Sequence, residues 1–180
     1  MRCVIVLLST VTSSLWNTFF GQHQHKGASG WNRCFKKTGP QSIGVSRGGR
    51  TTKIHLVAAS DRKAVIFSLS AGNNHDAPEG RKLIECIRTT EPCHLLMDLA
   101  CEDEATRQLA TQQGFTPVVP PKSNRREPWE YDKELYKQRN QVERLFRRIK
   151  RFRRIFTRYE KLDKMFLAFI SFAIIVDYLC

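Results

Sequence analysis

The stretch YKQRNQVERLFRRIK, residues 136–150, decides how this chain is read. On an α-helix each residue advances roughly 100° around the axis, so Tyr136, Arg139, Glu143 and Lys150 fall within about 60° of one another. Val142, Leu145, Phe146, Ile149 and Phe152 gather on a neighbouring apolar stripe, and Arg144, Arg147, Arg148 and Arg151 take most of the remaining circumference. Such a helix packs one side into a core and shows water a carboxylate set among cations. Geometry alone leaves two readings of Glu143 open. It is an ionised ligand for a metal ion working near phosphates, or a surface acid paired with Arg139 or Arg147.

The charge around this stretch narrows the choice of partner. The chain has 180 residues and a net charge of +13, enough length for one domain with a real core. Lys137 to Lys161 alone holds 11 basic and two acidic residues. A polyanion is the natural partner, either nucleic acid or an acidic membrane surface. The six cysteines, Cys3, Cys34, Cys86, Cys93, Cys101 and Cys180, contain no Cys-x-x-Cys pair. That reads against a zinc ribbon or a disulfide framework and toward a reducing cytoplasm, with Cys86 and Cys93 as small core residues. His23 and His25 have no third ligand at metal-site spacing. Met1 to Leu8 looks like the start of a signal peptide without a small-residue cleavage site. The apolar run from Met165 to Val176 is 12 residues long, too short for a membrane span, and reads as a buried terminal helix.

Between these ends the pattern is that of a mixed sheet. Gln22 to Arg50 reads as an irregular loop with a tight turn at Ser46-Arg47-Gly48-Gly49-Arg50, where glycines let backbone approach a phosphate. Thr51–Ala58 and Ala64–Leu69 read as a hairpin. Asp76-Ala77-Pro78-Glu79 reads as a helix start with Asp76 as the N-cap, the helix running to about Arg88. Cys93–Met97 is a short apolar strand ending on Asp98, followed by a helix from Asp103 to Gln113, a stop at Gly114 and a strand over Phe115–Val119. After the Pro120-Pro121 break, helices are expected over 132–156 and 161–179. Strands, then alternating helix and strand, then helices, indicate an α/β fold with helices flanking a mixed sheet. An acid at the C-terminal end of a buried strand, as Asp98 is, stands where sites on such sheets lie.

Tyr136-x2-Arg139-x3-Glu143-x6-Lys150 resembles the signature of a large group of bacterial insertion-sequence DDE transposases, the insertion-sequence four/five type. Four further stretches resemble the family in its order: KKTGPQSIGVSRGGRTTKIH (36–55), SAGNNHDAPEG (70–80), HLLMD (94–98) and FRRIFTRYEKLDKMFLAFISFA (152–173). The signature itself sits inside a fifth, FTPVVPPKSNRREPWEYDKELYKQRNQVERLF (115–146). The likeness runs from about His23 to Leu179 and implies a ribonuclease H-like fold over 23–180. It further implies a cytoplasmic, nucleoid-associated protein with no membrane partner, working on terminal inverted repeats and target DNA as a possible homodimer. Asp98 and Glu143 would be the second and third catalytic acids and the ligands of Mg²⁺ or Mn²⁺. Tyr136, Arg139, Arg147 and Lys150 would contact or position DNA, and Arg47, Arg50 and Lys53 would touch its backbone. The reaction implied is nicking of element ends by water, then attack of the freed 3′-hydroxyl on target DNA.

The chain departs from that family at its start. Aligning Thr18 and His23-Gln24-His25 puts Trp16 where the first catalytic Asp belongs, and the first acid of any kind is Asp61. Two-metal phosphoryl transfer needs carboxylates holding ions about 3.5–4 Å apart, and an indole is no ligand for Mg²⁺. Leu99 and Cys101 also replace an Arg and a Tyr usual beside the second acid. Residues 1–22 therefore read as divergent, from a truncated or out-of-frame copy or one completed by ribosomal frameshifting, and the first strand of the sheet is in doubt. The expectation is a defective transposase domain. A non-catalytic basic DNA binder is the alternative, and a membrane-surface protein using the basic helix and the apolar C-terminus is a third reading.

Overall fold

A computed structural model describes residues 3–14, 41–47 and 49–180. Its strands are β1 (Cys3–Ser14), β2 (Gly44–Ser46), β3 (Gly49–Ala58), β4 (Ala64–Ala71), β5 (Cys93–Met97), β6 (Phe115–Val118) and β7 (Thr157–Arg158). They form one mixed sheet in the order β2-β3-β1-β5-β6, with β4 on β3 and β7 on β1. β1, β5 and β6 run parallel, with Cys3 opposite Cys93 and Leu7 opposite Met97. The helices are α1 (Asp76–Glu85), α2 (Glu104–Gln112), α3 (Lys133–Tyr136), α4 (Asn140–Ile149), α5 (Arg153–Phe156) and α6 (Asp163–Leu179). The mixed α/β architecture expected from the sequence is present.

Several local expectations are corrected. Residues 3–14, within the start read as divergent with its strand in doubt, form β1, because the apolar, β-branched run CVIVLL finds an apolar partner in CHLLM. Part of the expected irregular loop is the β2–β3 hairpin, with Ser46 opposite Gly49 across its turn. The expected helix over 132–156 is interrupted: a 3₁₀ turn at Lys137–Arg139 separates α3 from α4, and α4 ends before Lys150. Asp76 is the first residue of α1 rather than its cap, a place held by His75 without a side-chain bond. Cys86 is exposed rather than buried, whereas Cys93 is buried in the core as expected and is disulfide-bonded.

Two compact units divide the chain, and β1 and β3 give residues to both. The first (1–10, 55–68 and 75–147) has a core of Leu7, Val57, Leu83, Ile84, Leu95, Met97, Ala110 and Phe115. Helix α1 buries Gly80, Leu83 and Ile84, the i, i+3, i+4 face of an amphipathic helix. At Gly80 an added Cβ would meet Leu7 Cδ2 at 3.1 Å and Cys101 Sγ at 3.2 Å, so α1 packs closely there and a larger residue would have to push these side chains aside by a few tenths of an ångström. Gly114, at φ +88°, ends α2 as expected.

The segment after β6 is pinned by Trp129 and Glu102. The Trp129 ring meets two guanidiniums, Arg107 at 3.7 Å and Arg125 at 4.4 Å from its centre, and Trp129 donates Nε1–H to the Val119 carbonyl at 2.8 Å. The buried Glu102 carboxylate takes Lys122 Nζ at 3.0 Å and Arg125 Nη1 at 3.1 Å. Burial alone would raise the Glu102 pKa, but hydrogen bonds from Lys122 and the Arg125 contact outweigh it, and the net shift is downward. A lowered folded pKa stabilises above the unfolded value and loses that stability as pH falls through the folded one. Glu102→Gln should therefore lower unfolding free energy at pH 7 by about 1–3 kcal/mol. In urea titrations the deficit should shrink once pH drops below about 4, where the unfolded carboxylate also protonates.

The second unit (11–54, 69–74 and 148–180) is organised by Arg158. Its side chain is fully buried, forms an ion pair with Asp163 at 2.6 Å and lies 4.9 Å over the Phe166 ring. Helix α6 buries Phe166, Ile170 and Ala173. Phe172, Ile175, Tyr178 and Leu179 remain exposed. The expectation of a wholly buried terminal helix is thus corrected, because a helix apolar on all sides can press only one stripe into a core. Among the described residues no helix is long and apolar enough to cross a membrane.

Candidate active site

β5 runs parallel to β1 and β6, and Asp98 follows its last residue, Met97, which lies opposite Leu7 of β1. There it caps the 3₁₀ turn Leu99–Cys101, its Oδ1 accepting the Leu99 N–H at 2.8 Å, which fixes the carboxylate. Glu143 arrives from the first turn of α4, whose Val142, Leu145, Phe146 and Ile149 are buried as the apolar stripe predicts.

Arg139 joins the two acids. Its Nη1 lies 3.3 Å from Asp98 Oδ1 and its Nη2 2.8 Å from Glu143 Oε1. All three side chains are partly exposed, at 24% for Arg139, 35% for Asp98 and 36% for Glu143. Glu143 is thus paired with Arg139, one of its two readings, and that pair is tied to the strand-end acid. The 3₁₀ turn explains part of the arrangement. Residues three apart eclipse there instead of drifting around the axis, and Arg139 lies 5.7 Å from the Tyr136 ring centre. Tyr131 packs edge-on against that ring at 5.7 Å. Burial raises the Tyr136 phenol pKa, with Asp98 adding to the shift and Arg139 opposing it.

Arg147 is exposed on α4. Arg47, Arg50, Lys53 and Lys150 belong to the other unit. Arg47 is exposed at the hairpin turn, and Lys53 Nζ donates to the Asn74 carbonyl at 2.7 Å. Lys150 follows the end of α4, half-buried, and burial pushes its ammonium pKa down. Arg148, grouped by periodicity with the solvent-facing cations, instead pairs with Asp177 at 2.7 Å. Trp16, His23 and His25 lie outside the described residues.

Sequence reasoning missed what surrounds Asp98. A small crevice is lined by Leu7, His55, Asp76, Gly80, Asp98 and Cys101. The signal for His55 was a lone histidine within a buried apolar strand. For Asp76 it was masked by the plausible cap. Burial, then the charges of Asp76, Asp98 and Asp103, push the Cys101 thiol up to about 12, so it stays protonated.

Asp98 and Glu143 offer the hard oxygens that Mg²⁺ or Mn²⁺ prefers. Two ions would need more. Among the described residues no three His, Cys, Asp or Glu side chains converge on one point. Continuing the β1–β5 register by one residue sets position 8 beside Asp98, yet the whole strand, CVIVLLSTVTSS, contains no acid.

Comparison with known proteins gives one family. Residues 18–176 match the transposase DDE domain, a domain type that works with divalent metal ions. The chain is 28% identical over 124 residues to a protein assigned as the transposase of insertion sequence element IS6501 from Brucella ovis, covering 68% of this chain and 94% of that one. Its fold is similar to that of the piggyBac transposase, solved by cryo-electron microscopy in a synaptic complex with hairpin DNA. The TM-score is 0.57 at 8% identity, over 98% of this chain. This chain spans 46% of the piggyBac protein's length. From residue 18 to residue 176, this chain belongs to the transposase DDE domain family.

Proposed function

We propose that residues 23–180 are the DNA-handling domain of an insertion-sequence transposase of the four/five type. Asp98 and Glu143 are its metal-binding acids, and Tyr136, Arg139, Arg147 and Lys150 serve the DNA. The observation that carries this reading is the meeting of Asp98 and Glu143 on one guanidinium, although Arg139 and Asp98 are 41 residues apart in sequence. Bound Mg²⁺ or Mn²⁺ would supply Lewis-acid chemistry at a DNA phosphate. Asp98 would hold it rigidly from the strand end, and Glu143 would close on it from α4.

This copy is read as catalytically defective and still able to grip duplex DNA. The family resemblance puts the lost first acid at Trp16, and extending the β1–β5 register one residue beyond Leu7 suggests Leu8 as a second candidate. Both repairs can be made. In nicking assays on supercoiled DNA with Mn²⁺, Trp16→Asp or Leu8→Asp should raise cleavage above that of the parent chain. Adding Glu143→Ala should return it to the parent level. Cleavage by a repaired protein that survives Glu143→Ala unchanged would show the site assignment to be wrong.

A further inference from the structure

The contact that assembles the site also occupies it. Arg139 places one nitrogen on Asp98 Oδ1 and the other on Glu143 Oε1, the two carboxylates proposed above to take a metal ion. A guanidinium and a divalent cation cannot satisfy the same oxygens at once, because each brings positive charge to the same spot. The two halves of the grip are unequal. Glu143 is held at 2.8 Å within one helical turn, whereas Asp98 is reached at 3.3 Å, near the limit for a hydrogen bond, and its Oδ1 already accepts the Leu99 amide. Arg139 is therefore built to release Asp98 first.

We propose that Arg139 is a resident counter-cation that latches the two acids together. A divalent ion must displace it from Asp98, and the freed fork then takes a DNA phosphate. The proposal rests on the reading of Asp98 and Glu143 as metal ligands. A planar fork of donors suits a phosphate as well as a carboxylate, and the side chain is partly open to solvent. Metal and DNA binding then help one another, and such coupling is reciprocal. Metal clears Arg139 for the phosphate, and the phosphate clears Asp98 for the metal.

The test measures Mn²⁺ binding directly, from the electron paramagnetic resonance signal of the free ion, with folding checked by circular dichroism. It uses the full chain with and without a short duplex of arbitrary sequence. Arg139→Gln and Arg139→Met should each bind Mn²⁺ roughly tenfold tighter or more than the parent, since they remove the competing charge. Duplex should tighten Mn²⁺ binding by the parent and leave both variants unchanged. If both variants bind no tighter than the parent, while Asp98→Asn and Glu143→Gln weaken binding, the latch is wrong and the site reading stands. If neither acid variant weakens Mn²⁺ binding, the site reading fails and the latch with it.

Discussion

Replacing Arg158 by leucine should remove about 3–5 kcal/mol of stability, the cost of taking one partner from a buried ion pair. Arg158 satisfies several groups at once. Arg158 Nε donates to the Glu160 carbonyl at 2.9 Å, and Nη1 to Thr52 Oγ1 at 2.9 Å and the Ser42 carbonyl at 3.3 Å. Nη2 reaches Asp163 Oδ1 at 2.6 Å and the Lys161 carbonyl at 3.3 Å. Asp163 in turn accepts the Ser42 amide at 2.9 Å and the Ser42 hydroxyl at 2.8 Å. Leucine would leave the Asp163 carboxylate without its cation and three carbonyls without this donor. Lysine would restore the charge but only one of the fork's directions, and should recover part of the loss. Urea unfolding of Arg158→Leu, Arg158→Lys and the exposed-site control Arg147→Ala measures this. The control should stay within about 0.5 kcal/mol of the parent, and a similarly small effect at Arg158 would refute the keystone role.

Duplex DNA affinity should fall steeply with salt, by on the order of 10³–10⁵ between 50 and 200 mM if six to ten phosphates are contacted. The structure separates the arginines that can contribute from those that cannot. Arg144, Arg147 and Arg151 are exposed, whereas Arg148 is committed to Asp177 and Arg158 is fully buried. Alanine at each of the three exposed positions should weaken binding to all sequences about equally and reduce the salt slope by about one. Arg148→Ala should leave the slope alone and cost stability instead. Fluorescence anisotropy across a salt series gives both quantities. A flat salt response would end the DNA-binding reading, and preference for anionic vesicles over DNA would revive the membrane-surface one.

What the sequence made legible was local and strongly punctuated. β5 runs over Cys93–Met97 as expected because a short apolar run is bracketed by Pro92 and Asp98. α2 lies within a residue of the expected limits because Asp103 caps it, accepting the Thr106 amide at 3.0 Å. Capping and stop signals act over one turn and need no knowledge of the rest of the molecule. The 3₁₀ turn at Lys137–Arg139 was not legible, since a change from about 100° to about 120° per residue leaves no mark in composition. The same limit hid the different fates of the arginines. In a run as basic as residues 137–161 each one reads as a solvated surface cation, and only partners distant in sequence single out two of them. Arg148 finds Asp177, 29 residues on, and Arg158 reaches Thr52, 106 residues back. Asp98 and Glu143 stood out in the sequence by resemblance, but their common tie to Arg139 became visible only in three dimensions.

The discontinuous second unit has a consequence for synthesis. Its segments 11–54 and 69–74 must wait for 148–180, because Ser42 and Thr52 acquire their buried donor only when Arg158 has been made. At 5–20 residues per second, the ribosome needs roughly 5–20 s to cover that stretch. Closing a loop of about 110 residues then costs on the order of 4 kcal/mol of chain entropy. Throughout that interval the ends of β1 and β3 are strands without the segment that completes their unit. Pairing with strands of other nascent chains competes with folding during this interval, so expression conditions that lengthen it should favour aggregation.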